Sequence, residues 1–141
     1  MNDVTNIKPH WSFWVIAGLA LIWNVMGCAN YVMQMNPEFV AGLPEAYQAG
    51  IVDRPAWATG AFAIAVFAAA VGCALLILRK SLSLYALGLS LLGTIGVFAY
   101  TLTAVWGTDG ASILVSTTAS LVIAVFLVWY ANFAIKKSWI S

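Results

Sequence analysis

Of the chain's 141 residues, 63% are hydrophobic and only 8% are charged, far fewer charges than the roughly 25% usual in soluble domains. A core of this size cannot hide so much apolar surface from water, which makes the bilayer the simpler solvent and excludes an ordinary soluble fold. A net charge of +1 offers no field for a polyanion, so no nucleic-acid partner is expected.

Residues 1–10 read as a polar tail that carries Lys8 and ends at Pro9 and His10. The apolar run that follows is too long for a leader core and has no small-residue cleavage site, so a retained first span is expected over 11–34. This span puts Asn24, Asn30, Tyr31 and Gln34 into the membrane. With Gly27 they cover an arc of about 120° at about 100° per residue, in the half nearer the end of the helix.

Asn36-Pro37-Glu38 breaks the helix, because proline suits a first turn and not an interior. The connection 36–55 is expected to hold two short helical turns. These open at Pro37 and Pro44 and close at Gly42 and Gly50, with Glu38 and Glu45 at their positive ends. Phe39, Val40, Leu43, Tyr47 and Ile51 suit a segment lying on the membrane surface or capping the helices. A connection of this length is often functional.

A second span follows Pro55 over 56–78. Arg79-Lys80-Ser81-Leu82-Ser83 is a tight polar turn that sends the third span, 84–106, back antiparallel. Gly107-Thr108-Asp109-Gly110 is a turn by composition. The fourth span, 111–135, ends at Lys136-Lys137, with Trp139 beyond. The expected fold is an all-α integral membrane protein. It is a single antiparallel four-transmembrane-helix bundle over 1–141, with an outward-facing connection between the first two spans.

Orientation follows the cations. Lys8, Arg79, Lys80, Lys136 and Lys137 lie on one side and only Arg54 on the other, which places both termini in the cytoplasm. Trp11, Trp14, Trp57, Trp106, Trp129, Tyr130 and Trp139 fall near span ends, where amphipathic rings suit the headgroups. Trp23 is the exception, near mid-membrane, and needs a partner or a place facing other helices.

Lipid is as apolar as leucine, so small residues must hold the helices together. Stripes spaced three and four apart supply them: Ala17, Ala20, Asn24, Gly27 in the first span and Ala58, Ala61, Ala65, Ala68, Gly72 in the second. Gly93, Gly96, Tyr100, Thr103 follow in the third and Thr117, Ser120, Ala124, Leu127, Ala131 in the fourth. Such stripes match left-handed packing. The amides of Asn24, Asn30 and Gln34 have two readings. They line a small polar cavity that binds a neutral solute, or they bond across helices to Ser116, Thr117, Ser120, Tyr100 or Thr101.

No Asp, Glu, Lys, Arg or His falls inside an expected span, which argues against proton-coupled transport. His10 is the one histidine, so bis-histidine haem ligation within the chain is excluded, and no cofactor or metal is expected. Cys28 and Cys73 should sit too far apart along the membrane normal to pair. Glu38, Glu45, Asp53, Arg54 and Asp109 read as a solvated rim. With no nucleophile–base set, phosphate loop or redox motif, no enzymatic activity is expected.

Trp23-Asn24-x-x-Gly27, Leu43-Pro44-Glu45 and Pro55-x-Trp57-Ala58-Thr59, followed by Leu76-x-Leu78-Arg79-Lys80 and Phe126-Leu127-x-Trp129-Tyr130, run through nearly the whole chain. In these the chain resembles a group of small four-span bacterial membrane proteins often labelled sugar transporters. The resemblance implies a multi-pass protein of the bacterial inner membrane and brings no activity or site residues with it. Three functions stay open. One is an accessory or scaffold subunit, associating with itself or with a larger membrane complex. Another is a passive or weakly coupled permease for a small neutral, sugar-like solute, bound by Asn24, Asn30, Tyr31 and Gln34. The third is a module binding a lipid or quinone.

Overall fold

The computed structural model describes residues 8–105 and 111–141. Every regular element among them is a helix: α1 (Trp11–Met33), α2 (Pro37–Ala41), α3 (Glu45–Val52), α4 (Ala56–Ile77), α5 (Ser83–Val105) and α6 (Ala111–Lys136). Four of them, α1, α4, α5 and α6, are long and apolar enough to cross a membrane. The fold is thus a four-helix membrane bundle with α2 and α3 in the connection. The expected Gly107–Gly110 turn, with Trp106, lies outside the described residues.

The helix ends follow local chemistry. The His10 ring accepts a hydrogen bond from the Ser12 N–H and caps α1. Asn36 caps α2 through the Glu38 N–H at 2.9 Å, with Pro37 in the first turn. Gly42 ends α2 as expected, but Gly50 does not end α3, which runs on to Val52. The stop comes instead at Arg54-Pro55, where proline disfavours a helical residue before it.

α4 packs against α1 on one side and α5 on the other, and α5 packs against α6. The tightest approach is between α4 and α5. A Cβ at Gly93 would lie 2.7 Å from the Ala61 carbonyl oxygen and 2.8 Å from the Ala65 nitrogen, and one at Gly72 would lie 2.7 Å from Leu87 Cγ. Ser90 donates to the Ala65 carbonyl at 2.6 Å across the same interface.

At the end carrying the described termini, an apolar core closes the bundle. Phe13, Leu76, Leu87, Leu127, Ala131 and Ala134 are nearly or fully inaccessible there. Phe13 stacks on Tyr130 with ring centroids 6.2 Å apart and meets the edge of Trp139 at 6.0 Å. These contacts join α1 to α6.

The last residues turn back onto the α4–α5 turn. Arg79 and Ser138 both have positive φ, 61° and 59°, in the left-handed conformation that ends many helices. Behind them Lys80 N–H donates to Leu75 O and Trp139 N–H to Ala134 O. The two turns are then tied together: Ser81 N–H donates to Ser141 O, Ser141 N–H to Arg79 O, and Arg79 Nε to Trp139 O. A side chain in this conformation costs about 1–2 kcal/mol. Ser138→Gly is therefore expected to raise the thermal unfolding midpoint in detergent, and the β-branched Ser138→Val to lower it. The order Gly, Ser, Val in midpoint is the check.

Candidate functional site

At the opposite end α1 and α6 do not pack along their length, and a cavity of about 520 Å³ lies between them, backed by α4 and α5. That volume is ordinary for a small-molecule site, about 300–1,000 Å³. The two facing stripes have helical spacing. α1 contributes Trp23, Gly27, Asn30 and Gln34 among others, and α6 contributes Thr117, Ser120, Ala124 and Leu127. Small residues on α6 that read as a packing seam therefore leave space in this half. Lower down, Leu127 and Ala131 are packed.

Three of the four sequence candidates line the cavity. Asn24, nearly buried, donates to its own helix at Ala20 O, 2.8 Å, and weakly to Cys73 Sγ, 3.7 Å. Asn30 is exposed and accepts from Gln34 Nε2 at 3.4 Å. Gln34 accepts from Arg54 Nη1 at 3.0 Å. Tyr31 is not part of the lining; it packs edge-on against Phe62 and Phe67 of α4, with centroids 5.3 and 5.6 Å away. Trp23 sits at the cavity rim and is partly exposed. Both cysteines are free, and Cys28 Sγ donates to the Val66 carbonyl.

The cross-helix bonds from the amides to the α5 and α6 hydroxyls are not made. Thr94 donates to Ser90 O, Thr101 to Val97 O, Thr117 to Ile113 O and Ser120 to Ser116 O, all within their own helices. Ser90 gives its proton to Ala65 O. Among the described residues, these wall hydroxyls have given their protons to backbone carbonyls and can only accept, while Ser116 in the same lining keeps its proton free.

The connection roofs the cavity. Tyr47, Gly50 and Ile51 of α3 line it, and the Tyr100 hydroxyl of α5 donates to Gly50 O at 2.9 Å. Gln48 holds α3 against the end of α2 by donating to Leu43 O and Ala41 O. Arg54, read from sequence as part of a solvated rim, is half-buried in this roof. Its Nε donates to Thr59 Oγ1 at 3.1 Å, and its guanidinium carbon lies 5.3 Å from the Phe62 ring centroid. Burial lowers its pKa from the ordinary value, opposed by Tyr100 and Tyr31, yet arginine stays cationic at any physiological pH. Its position had one signal in the sequence: it is the single cation of the long connection, directly before the proline that starts α4.

Comparison with family models, curated proteins and solved structures gave no match. The resemblance to the group labelled sugar transporters therefore rests on the sequence motifs alone.

Proposed function

We propose that the chain is a non-enzymatic membrane protein that holds a small organic solute between α1 and α6, taken up sideways from the bilayer. The supporting observation is the cavity itself. Helices free to close on one another through small residues are held apart in one half and joined in the other. The proposal also places the protein in a bacterial inner membrane, supported by the sequence resemblance, with both termini cytoplasmic, supported by the cation bias.

Among solutes, a sugar fits poorly. Each of its hydroxyls needs a partner once out of water, and most wall hydroxyls already donate to backbone carbonyls and are left as acceptors only. A solute with a largely apolar body fits the floor formed by Ala69, Leu87 and Leu127. The scaffold reading instead has the chain pack against itself or a larger membrane complex through its small-residue faces and the 36–55 connection.

The two readings separate in native mass spectrometry of the protein extracted with its lipids. The expected result is about one small organic molecule per chain, absent from Ser120→Phe, whose ring fills the cavity. A stoichiometric protein subunit in its place would overturn the proposal, as would an empty wild-type chain.

A further inference from the structure

The roof and the floor of the cavity differ in a way that selects a ligand. At the roof, Arg54 keeps its charge among neutral partners: Gln34, Thr59 and the face of Phe62. Among the described residues no carboxylate pairs with it. A guanidinium has five N–H donors, and the two bonds to Thr59 and Gln34 leave three. A half-buried cation without a counter-charge is costly, and an anion placed beside it recovers that cost.

Below the roof the lining becomes mostly apolar, with the Asn24 amide and the Ser116 hydroxyl among its remaining polar groups. Tyr100 stands at the upper end of α5 and Leu87 at the floor, thirteen residues or about 20 Å apart along the helix. That length is about two-thirds of a hydrocarbon core of about 30 Å, and Leu87 lies only one turn into α5 (Ser83–Val105), so the path runs through mid-membrane. Along it the hydroxyls of Ser90, Thr94, Thr117 and Ser120 donate to backbone carbonyls, and the floor is Ala69, Leu87 and Leu127. The gap between α1 and α6 gives access from the side. The cavity therefore has the polarity of a single upright alkyl chain with a charged head, with charge at one interface and a mainly apolar path through mid-membrane.

We infer that the solute is a single-chain amphiphile with an anionic head, the head held by Arg54 beside Gln34 and the alkyl chain lying between α1 and α6 down to Leu87 and Leu127. This rests on the cavity being a solute site and adds the class of solute. Carboxylate and phosphate heads share the chemistry, since a planar guanidinium forks onto either.

The test is equilibrium binding of three sixteen-carbon probes to the full chain in neutral detergent: palmitate, hexadecyl phosphate and the uncharged hexadecanol. Wild type is expected to bind one or both anions at least about tenfold more tightly than the alcohol, as a charge-assisted bond requires. Preference between the two anions distinguishes a free fatty acid from a phosphate-headed lipid. Arg54→Gln should lower anion affinity toward that of hexadecanol, with a wild-type size-exclusion profile reporting that the variant is folded. Arg54→Lys, which keeps the charge without the fork, should fall between. Equal affinity of wild type for anion and alcohol overturns the assignment of the head but leaves the cavity as a site. An unchanged anion preference in Arg54→Gln overturns it too. If wild type binds none of the three, the cavity reading itself fails with it.

Discussion

Gly93→Leu is expected to abolish the folded bundle. Position 93 of α5 faces the backbone of α4, where even a Cβ would come within 2.8 Å of Ala61 O and Ala65 N. Backbone atoms of a helix cannot turn aside as a side-chain tip can, so the two helices must part. Parting breaks the Ser90–Ala65 bond one turn away and the close approach of Gly96 to Ala61 one turn further on. In lipid there is no hydrophobic force to recover that packing. Gly93→Ala alone should lower the unfolding midpoint, and the leucine variant should lose its monodisperse peak on size exclusion. Gly60→Ala and Gly88→Ala, with no atom within 4 Å of the added carbon, should behave as wild type. A leucine variant with the wild-type midpoint would show the α4–α5 interface to be wrongly placed.

Phe13→Ala is expected to unlock α1 from α6. The ring is fully inaccessible and lies between Tyr130 and Trp139, the contacts that join these helices at the closed end. Large-to-small changes of this kind cost about 3–5 kcal/mol in water-soluble cores. In a bilayer the packing share of that cost remains, while the transfer share falls because lipid solvates the exposed surface. The local consequence is sharper than the global one. Cys73 is fully inaccessible in the same core, so loosening α1 should expose it. In a Cys28→Ser background, a membrane-permeant maleimide should label Cys73 many times faster once Phe13 is alanine. Unchanged labelling, with an unchanged midpoint, would count against this junction.

The four spans and their antiparallel order were legible because apolar runs of that length have one physical meaning. So were the close approaches at Gly72 and Gly93, since only glycine permits backbone contact at helical spacing. The cavity was legible only as one of two readings of Asn24, Asn30 and Gln34, and its α6 wall was not, for a related reason. A stripe such as Thr117, Ser120 and Ala124 reads the same whether a partner fills the space beside it or leaves it open. Thr94, Thr117 and Ser120 bond to the carbonyl four residues back in their own helices, a choice invisible to spacing. Arg54 was legible as a loop cation and not as part of a roof, because Tyr100 and Gly50, which hold the roof to α5, are 50 residues apart. The return of the tail onto the α4–α5 turn had no signal either. Its left-handed positions are Arg79 and Ser138, where a glycine would have announced them.

The aromatic closure at Phe13, Tyr130 and Trp139 has a consequence for vectorial work. The gap between α1 and α6 is lined by Trp23 to Gln34 and Ile113 to Leu127, so on the function proposed above the ligand would enter from the leaflet on that side and occupancy would track its abundance there. The spans hold no Asp, Glu, Lys, Arg or His before Lys136 at the very end of α6, the side chains that proton- or voltage-driven proteins usually place there. On the function proposed above, the bundle would act as a gauge of one leaflet's contents, and to become a conduit it would need the aromatic seal to open.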